Sequence, residues 1–138
     1  MPKAFNWIGV LVALIFGQAL SYVWYSIAFG AAERALNPSA PSGGLVYAKG
    51  GALSLLLIVG LAWLVSKTGV RGWVAGARFG LLFWLFFLLT TGLIRTVYLG
   101  SPLRQEEIDA GYELIFLTSA CAILAGLTLG KRAAAIAA

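Results

Sequence analysis

The sequence predicts an all-α integral membrane protein whose four transmembrane helices form an up-down bundle. Of its 138 residues, 61% are hydrophobic and only 11% are charged, and the apolar residues fall into four long runs. A soluble domain is about one quarter charged, so this chain has too few polar side chains to cover a surface that faces water. We expect residues 1–138 to form a single membrane domain, because the length suits one domain.

The predicted elements follow the apolar runs and the breakers between them. About 20 apolar residues cross a bilayer, and proline and glycine clusters mark the connectors. In chain order, the elements are a span over 5–29, a flexible outer loop over 31–44, spans over 45–65 and 73–94, a short interfacial helix over 102–110 and a span over 111–129. The first run is too long for a signal peptide, since it continues well past the small residues of a candidate cleavage site at Gly17.

The basic residues predict the orientation of the chain. Lysines and arginines concentrate on the side that holds both chain ends, whereas all the acidic residues fall on the other side. Cytoplasmic segments carry the excess of Lys and Arg, so we expect both termini to be cytoplasmic. The net charge of +5 is then explained by the orientation of the chain in the membrane. We therefore expect no nucleic-acid partner.

The residue inventory argues against several kinds of enzyme. The chain has no His, one Cys and one Met, which leaves little for a zinc or haem site. No glycine-rich phosphate loop and no base–nucleophile pair is recognisable. We therefore expect neither catalysis nor an intrinsic metal or cofactor.

Small residues recur at every fourth position in three of the predicted spans. This spacing places them on one helix face, where backbones can approach closely. We expect these faces to pack the bundle, with partner contact as the alternative. The residues are Gly9, Ala13, Gly17 and Ser21, then Gly72, Gly76 and Gly80, then Thr118, Ala122, Gly126 and Gly130.

The third span carries an aromatic face made of Phe79, Phe83, Trp84, Phe86 and Phe87. We expect lipid contact there, since aromatic side chains are stable in hydrocarbon. A bound lipid, quinone or pigment is the alternative.

Three polar features lie within the predicted spans or at their ends. We expect Arg78 to reach lipid headgroups, because a long basic side chain can extend to the interface. Arg95 is expected to pair with Asp109 or Glu113 and so to fasten the third and fourth spans together. Gln18, near the middle of the first span, is expected to bond to a neighbouring helix.

Several short motifs resemble a known bacterial membrane family, domain of unknown function 1761. They lie at both ends of the first span and at the start of the fourth. The motifs are Asn6-Trp7, Trp24-Tyr25-Ser26, Phe29-Gly30, and Ala110-Gly111-Tyr112 followed by Leu114. The resemblance implies a four-helix protein of the bacterial inner membrane, and it implies no activity.

These features favour an integral accessory subunit that packs against a larger membrane complex of respiratory or photosynthetic type. Its expected partners are other integral membrane proteins and lipids. A small homodimeric transporter or channel is the alternative, although few polar residues are available to line a path across the bilayer.

Overall fold

The computed structural model describes residues 5–127, and the regular secondary structure in this part of the chain is helical. Its α-helices are α1 (Trp7–Tyr22), α2 (Gly30–Leu36), α3 (Gly44–Thr68), α4 (Trp73–Phe83), α5 (Thr90–Leu99) and α6 (Leu103–Gly126). A π-helical segment over Val23–Ala28 extends α1, and a second over Trp84–Leu89 joins α4 to α5.

Four helical stretches are long and apolar enough to cross a membrane. They are Trp7–Ala28, Gly44–Thr68, Trp73–Leu99 and Leu103–Gly126. Each contains at least 22 residues, which at 1.5 Å per residue exceeds the roughly 30 Å of a hydrocarbon core. The chain is therefore an all-α protein built as a multi-pass membrane protein would be.

The structure differs from the predicted elements in three places. The third span continues to Leu99, five residues beyond its predicted end at 94. Residues 30–36 form helix α2 inside the predicted outer loop, because the first proline comes only at Pro38. The predicted interfacial helix and fourth span form one continuous helix, α6, in which no residue has a positive φ. Gly111, where we placed the boundary, stays helical, and a side chain there would lie 2.9 Å from the ring of Trp24.

Helix α6 is the centre of the bundle. It contacts α1, α3, α4 and α5, and it carries most of the fully buried residues, including Leu117, Ala120 and Cys121. Near its end, the side-chain amide of Asn6 and the backbone N–H of Gly72 donate to carbonyls of α6, at 3.1 Å each. We call this end of the molecule the Asn6 end and the opposite one the Glu106 end.

The closest helix contact joins α4 to α6 through glycines. A Cβ atom on Gly76 would meet the carbonyl oxygen of Cys121, and one on Gly80 would meet that of Leu117. Both glycines are buried. Since lipid supplies no hydrophobic force between helices, close packing of this kind is one of the few attractions available to helices in a membrane.

We predict that Gly80→Ala destabilises the protein, whereas Gly60→Ala does not. The added methyl group at Gly80 would press on the α6 backbone, which should lower the free energy of unfolding by about 1–3 kcal/mol. A Cβ atom on Gly60 meets nothing within 4 Å. There the better helix propensity of alanine should raise the free energy of unfolding by up to about 1 kcal/mol.

Unfolding in mild detergent, followed by circular dichroism, measures both variants. Equal stability of Gly80→Ala and the wild type would show that α4 and α6 are not in backbone contact at this position.

Candidate functional site

Two aromatic side chains anchor the π-helical end of the first span to α6. Trp24 Nε1 donates a hydrogen bond to the carbonyl oxygen of Ile108 at 3.0 Å, and the Tyr25 hydroxyl donates to Asp109 Oδ1 at 2.8 Å. Both bonds lie at the Glu106 end. They take up an indole N–H and a phenol that would otherwise need water or headgroup partners at the membrane surface.

A set of amide and carboxylate side chains ties α2 to the same part of α6. Gln105 Nε2 donates to Glu33 Oε1 at 3.2 Å and lies 3.4 Å from Asp109 Oδ2. Asn37 Nδ2 in turn donates to Gln105 Oε1. The connector after the first span is thus fixed on α6 by side-chain hydrogen bonds.

Arg95 forms its ion pair with Glu106, at 3.1 Å, and not with the predicted Asp109 or Glu113. Arg95 lies four residues before the end of α5, and Glu106 lies three residues after the start of α6. The two are therefore at nearly the same height on either side of the loop, whereas Asp109 and Glu113 are deeper. The partner in our sequence prediction was wrong for this reason.

The Glu106 carboxylate is buried, with only 5% of its side chain exposed. It occupies the space beside Gly92, where a Cβ atom would overlap its Oε1. Asp109 bonds instead to Tyr25, and Glu113 is half-buried with no ion pair among residues 5–127. Within that range no group of His, Cys, Asp and Glu is arranged to hold a metal ion.

The predicted aromatic face of the third span is divided in two. Trp84 Nε1 donates to the carbonyl oxygen of Ala110 at 2.9 Å, and Phe79 and Phe83 pack against the core. Phe86 and Phe87 are exposed on the outside of the bundle. These last two are fully available for lipid or for a bound molecule, and the half-buried Phe79 also lines an open groove on the outside of α4.

The small residues of α1 and α6 have mixed surroundings. A side chain at Gly17 would meet the ring of Phe116, and one at Gly126 would meet the ring of Trp73. A side chain at Gly9 would meet Asn6, and Ala13 is fully buried. Three others are half-buried, namely Ser21, Thr118 and Ala122. Gly130 lies outside the described residues.

The structure places Gln18 and Arg78, two of the polar side chains singled out in the sequence, on the outside of the bundle. Gln18 is expected to bond to a neighbouring helix, but it lies on the outside of α1 with no hydrogen bond to any residue in 5–127. Arg78 lies on the outside of α4 and forms no ion pair in that range.

One face of helix α3 is buried in the core along half of the helix and open along the other half. Gly44, Gly51, Ile58 and Val65 follow one another at intervals of seven and share this face. Ile58 and Val65 are buried in the core, whereas a Cβ atom on either glycine would meet nothing within 4 Å. The half of α3 toward the Glu106 end therefore stands away from α1 and α6.

This open half of α3 (residues 44–57) did not figure in our sequence prediction. Every residue in it is exposed except Gly51 and Ser54, which are half-buried. The sequence feature that marks it is the Gly50-Gly51 pair inside an apolar helix, because these glycines do not follow the four-residue spacing of the small residues in the other spans.

A family model matches residues 8–125, which include the anchors around Trp24, the Arg95–Glu106 pair and the open half of α3. The chain belongs to DUF1761, a family described as protein of unknown function. This confirms the resemblance carried by the short motifs of the sequence. No curated protein and no solved structure matches the chain.

For this DUF1761 protein we predict that Arg95→Gln lowers the free energy of unfolding by about 1–3 kcal/mol, because the buried Glu106 carboxylate loses its charged partner. Adding Glu106→Gln should recover part of the loss, since the double variant leaves no buried charge.

Arg104→Gln is the matched control. Arg104 pairs with Glu107 at 3.1 Å, but more than half of each side chain is exposed, so the change should cost less than about 1 kcal/mol. Chemical denaturation in detergent measures all three variants. If Arg95→Gln cost no more than Arg104→Gln, the ion pair would have no role in fastening α5 to α6.

Proposed function

We propose that this protein is a non-catalytic accessory subunit that packs against a larger complex in the bacterial inner membrane. The observation that carries the proposal is the open half of α3, where the face that is buried at Ile58 continues past the core and a Cβ atom on Gly51 or Gly44 would meet nothing within 4 Å. Complexes of respiratory or photosynthetic type are the hosts to test first. The distribution of Lys and Arg supports cytoplasmic termini.

The glycines of this face support a partner outside the chain. A glycine within a helix costs about 1 kcal/mol relative to alanine, and in membrane helices its usual benefit is a close approach by a second helix. Gly76 and Gly80 have that benefit inside the bundle, but Gly51 does not. Neither do Gly50 and Gly60, on other faces of α3. Gly51 differs from Gly60 because it shares its face with the buried Ile58, so a partner there would continue the packing of the bundle. A helix of another membrane protein lying along Gly44 and Gly51 would supply it.

The exposed amide of Gln18 supports the same proposal. A side-chain amide that faces hydrocarbon leaves its donors and acceptor unsatisfied, and helices in membranes satisfy such groups by bonding across an interface. Since no residue in 5–127 bonds to Gln18, its partner would come from outside the described chain. Gln18 also lies on α1, one of the helices that α3 contacts.

We predict that Gly51→Leu detaches the protein from its complex without destabilising it. The leucine side chain would fill the space that the partner helix needs, whereas nothing in the described chain lies close enough to clash. Gly60→Leu is the matched control, because Gly60 is nine residues further on and so on the opposite face of α3. A Cβ atom there also meets nothing within 4 Å.

The measurement is native gel migration of the tagged chain after mild solubilisation of its host membranes, with mass spectrometry of the band. Wild type and Gly60→Leu should migrate with other membrane proteins, and Gly51→Leu should migrate alone. A wild type that migrates as a monomer or a homodimer would contradict the proposal. If the wild type migrates as a homodimer, substrate flux into liposomes that contain only this protein would test the homodimeric transporter or channel.

A further inference from the structure

An open groove of about 670 Å³ lies on the outside of α4, toward the Asn6 end. Arg71, in the turn before α4, and Arg78, in its second turn, both line it. Its remaining walls are largely apolar and include Val74, Ala75 and Leu82. The groove thus combines two positive charges with a hydrocarbon-like surface.

Neither arginine is neutralised within the described part of the chain. The two ion pairs found there are Arg95–Glu106 and Arg104–Glu107, both at the opposite end of the molecule. The acidic side chains of the sequence, at positions 33, 106, 107, 109 and 113, all lie in α2 or in the first eleven residues of α6, which is the half of that helix toward the Glu106 end. The groove therefore has a positive field that no nearby carboxylate reduces.

The position of the two arginines fits a phosphate group. Arg71 lies two residues before the start of α4 and Arg78 five residues after it, and both line the same groove, so two long basic side chains flank one space on the outside of the helix. A guanidinium group binds phosphate oxygens with forked hydrogen bonds, so two of them can hold one phosphodiester from both sides.

The apolar wall distinguishes a lipid from a free phosphate ion. Leu82 lies one turn beyond Arg78, toward the middle of the span, and it is exposed. An acyl chain that leaves the phosphate would run along this wall in the direction that the bilayer imposes, whereas a soluble anion would gain nothing from it.

We propose that the groove between Arg71 and Arg78 binds one anionic phospholipid. Its phosphodiester lies between the two guanidinium groups, and one acyl chain lies along Ala75 and Leu82. A zwitterionic lipid binds less well because its own cation repels the two arginines. The site needs only a membrane around α4 and does not depend on the accessory role proposed above.

Native mass spectrometry of the detergent-purified protein tests the site, with phosphatidylglycerol and phosphatidylcholine present in equal amounts. The wild type should retain one phosphatidylglycerol in preference to phosphatidylcholine. Arg71→Gln combined with Arg78→Gln should reduce that retention by about tenfold or more, since each arginine near an anionic headgroup contributes about fivefold. Lysine at both positions should restore part of it, through charge without the forked geometry.

Two control variants separate a built site from general attraction. Arg34→Gln combined with Arg104→Gln removes the same charge at the Glu106 end and should leave retention unchanged. Ala75→Phe keeps both arginines but fills the groove, and it should reduce retention as the double glutamine variant does. Equal loss in the Arg34/Arg104 variant, or wild-type retention in Ala75→Phe, would overturn the proposal. So would wild-type retention in the Arg71/Arg78 glutamine variant.

Discussion

The packing of α4 on α6 through Gly76 and Gly80 is the contact on which the rest of the structure depends. Water drives apolar helices together in a soluble protein, but in a bilayer the lipid tails compete equally well for apolar side chains. Helices must then gain their attraction from close van der Waals contact, which the two missing side chains permit. Helix α6 also contacts α1 and α3, so it is the helix that the other long helices share.

The polar bonds at the Glu106 end set the position of each helix along its axis. Small-residue packing tolerates sliding, whereas a hydrogen bond between a given indole and a given carbonyl does not. Trp24 and Tyr25 fix the first span on α6, and the Arg95–Glu106 pair fixes α5. The buried Glu106 carboxylate is stable there because Gly92 leaves room for it and Arg95 supplies the opposite charge.

The helical glycines of residues 5–127 either contact another part of the chain or face open space. Those of α4, and Gly17 and Gly126, are each in contact with another helix or a ring of the same chain, so the bundle itself explains them. Gly44 and Gly51 face open space, although the same face of α3 is buried at Ile58, nearer the Asn6 end. The surface of the bundle therefore has three features without a partner in residues 5–127. They are the open half of α3, the exposed amide of Gln18, and the two arginines Arg71 and Arg78, which form no ion pair.

The sequence by itself determined the membrane class, the number of spans and the family, because hydropathy over about 20 residues and a few local motifs are enough for these. It also indicated the Gly76–Gly80 face from spacing alone. Only the tertiary structure decided the partner of Arg95, the exposure of Gln18 and the open half of α3. Each of these depends on how far one helix is shifted, rotated or tilted against another. Contacts between residues distant in the chain set the shift, rotation and tilt of each helix, and the periodicity of side chains within one helix does not determine them.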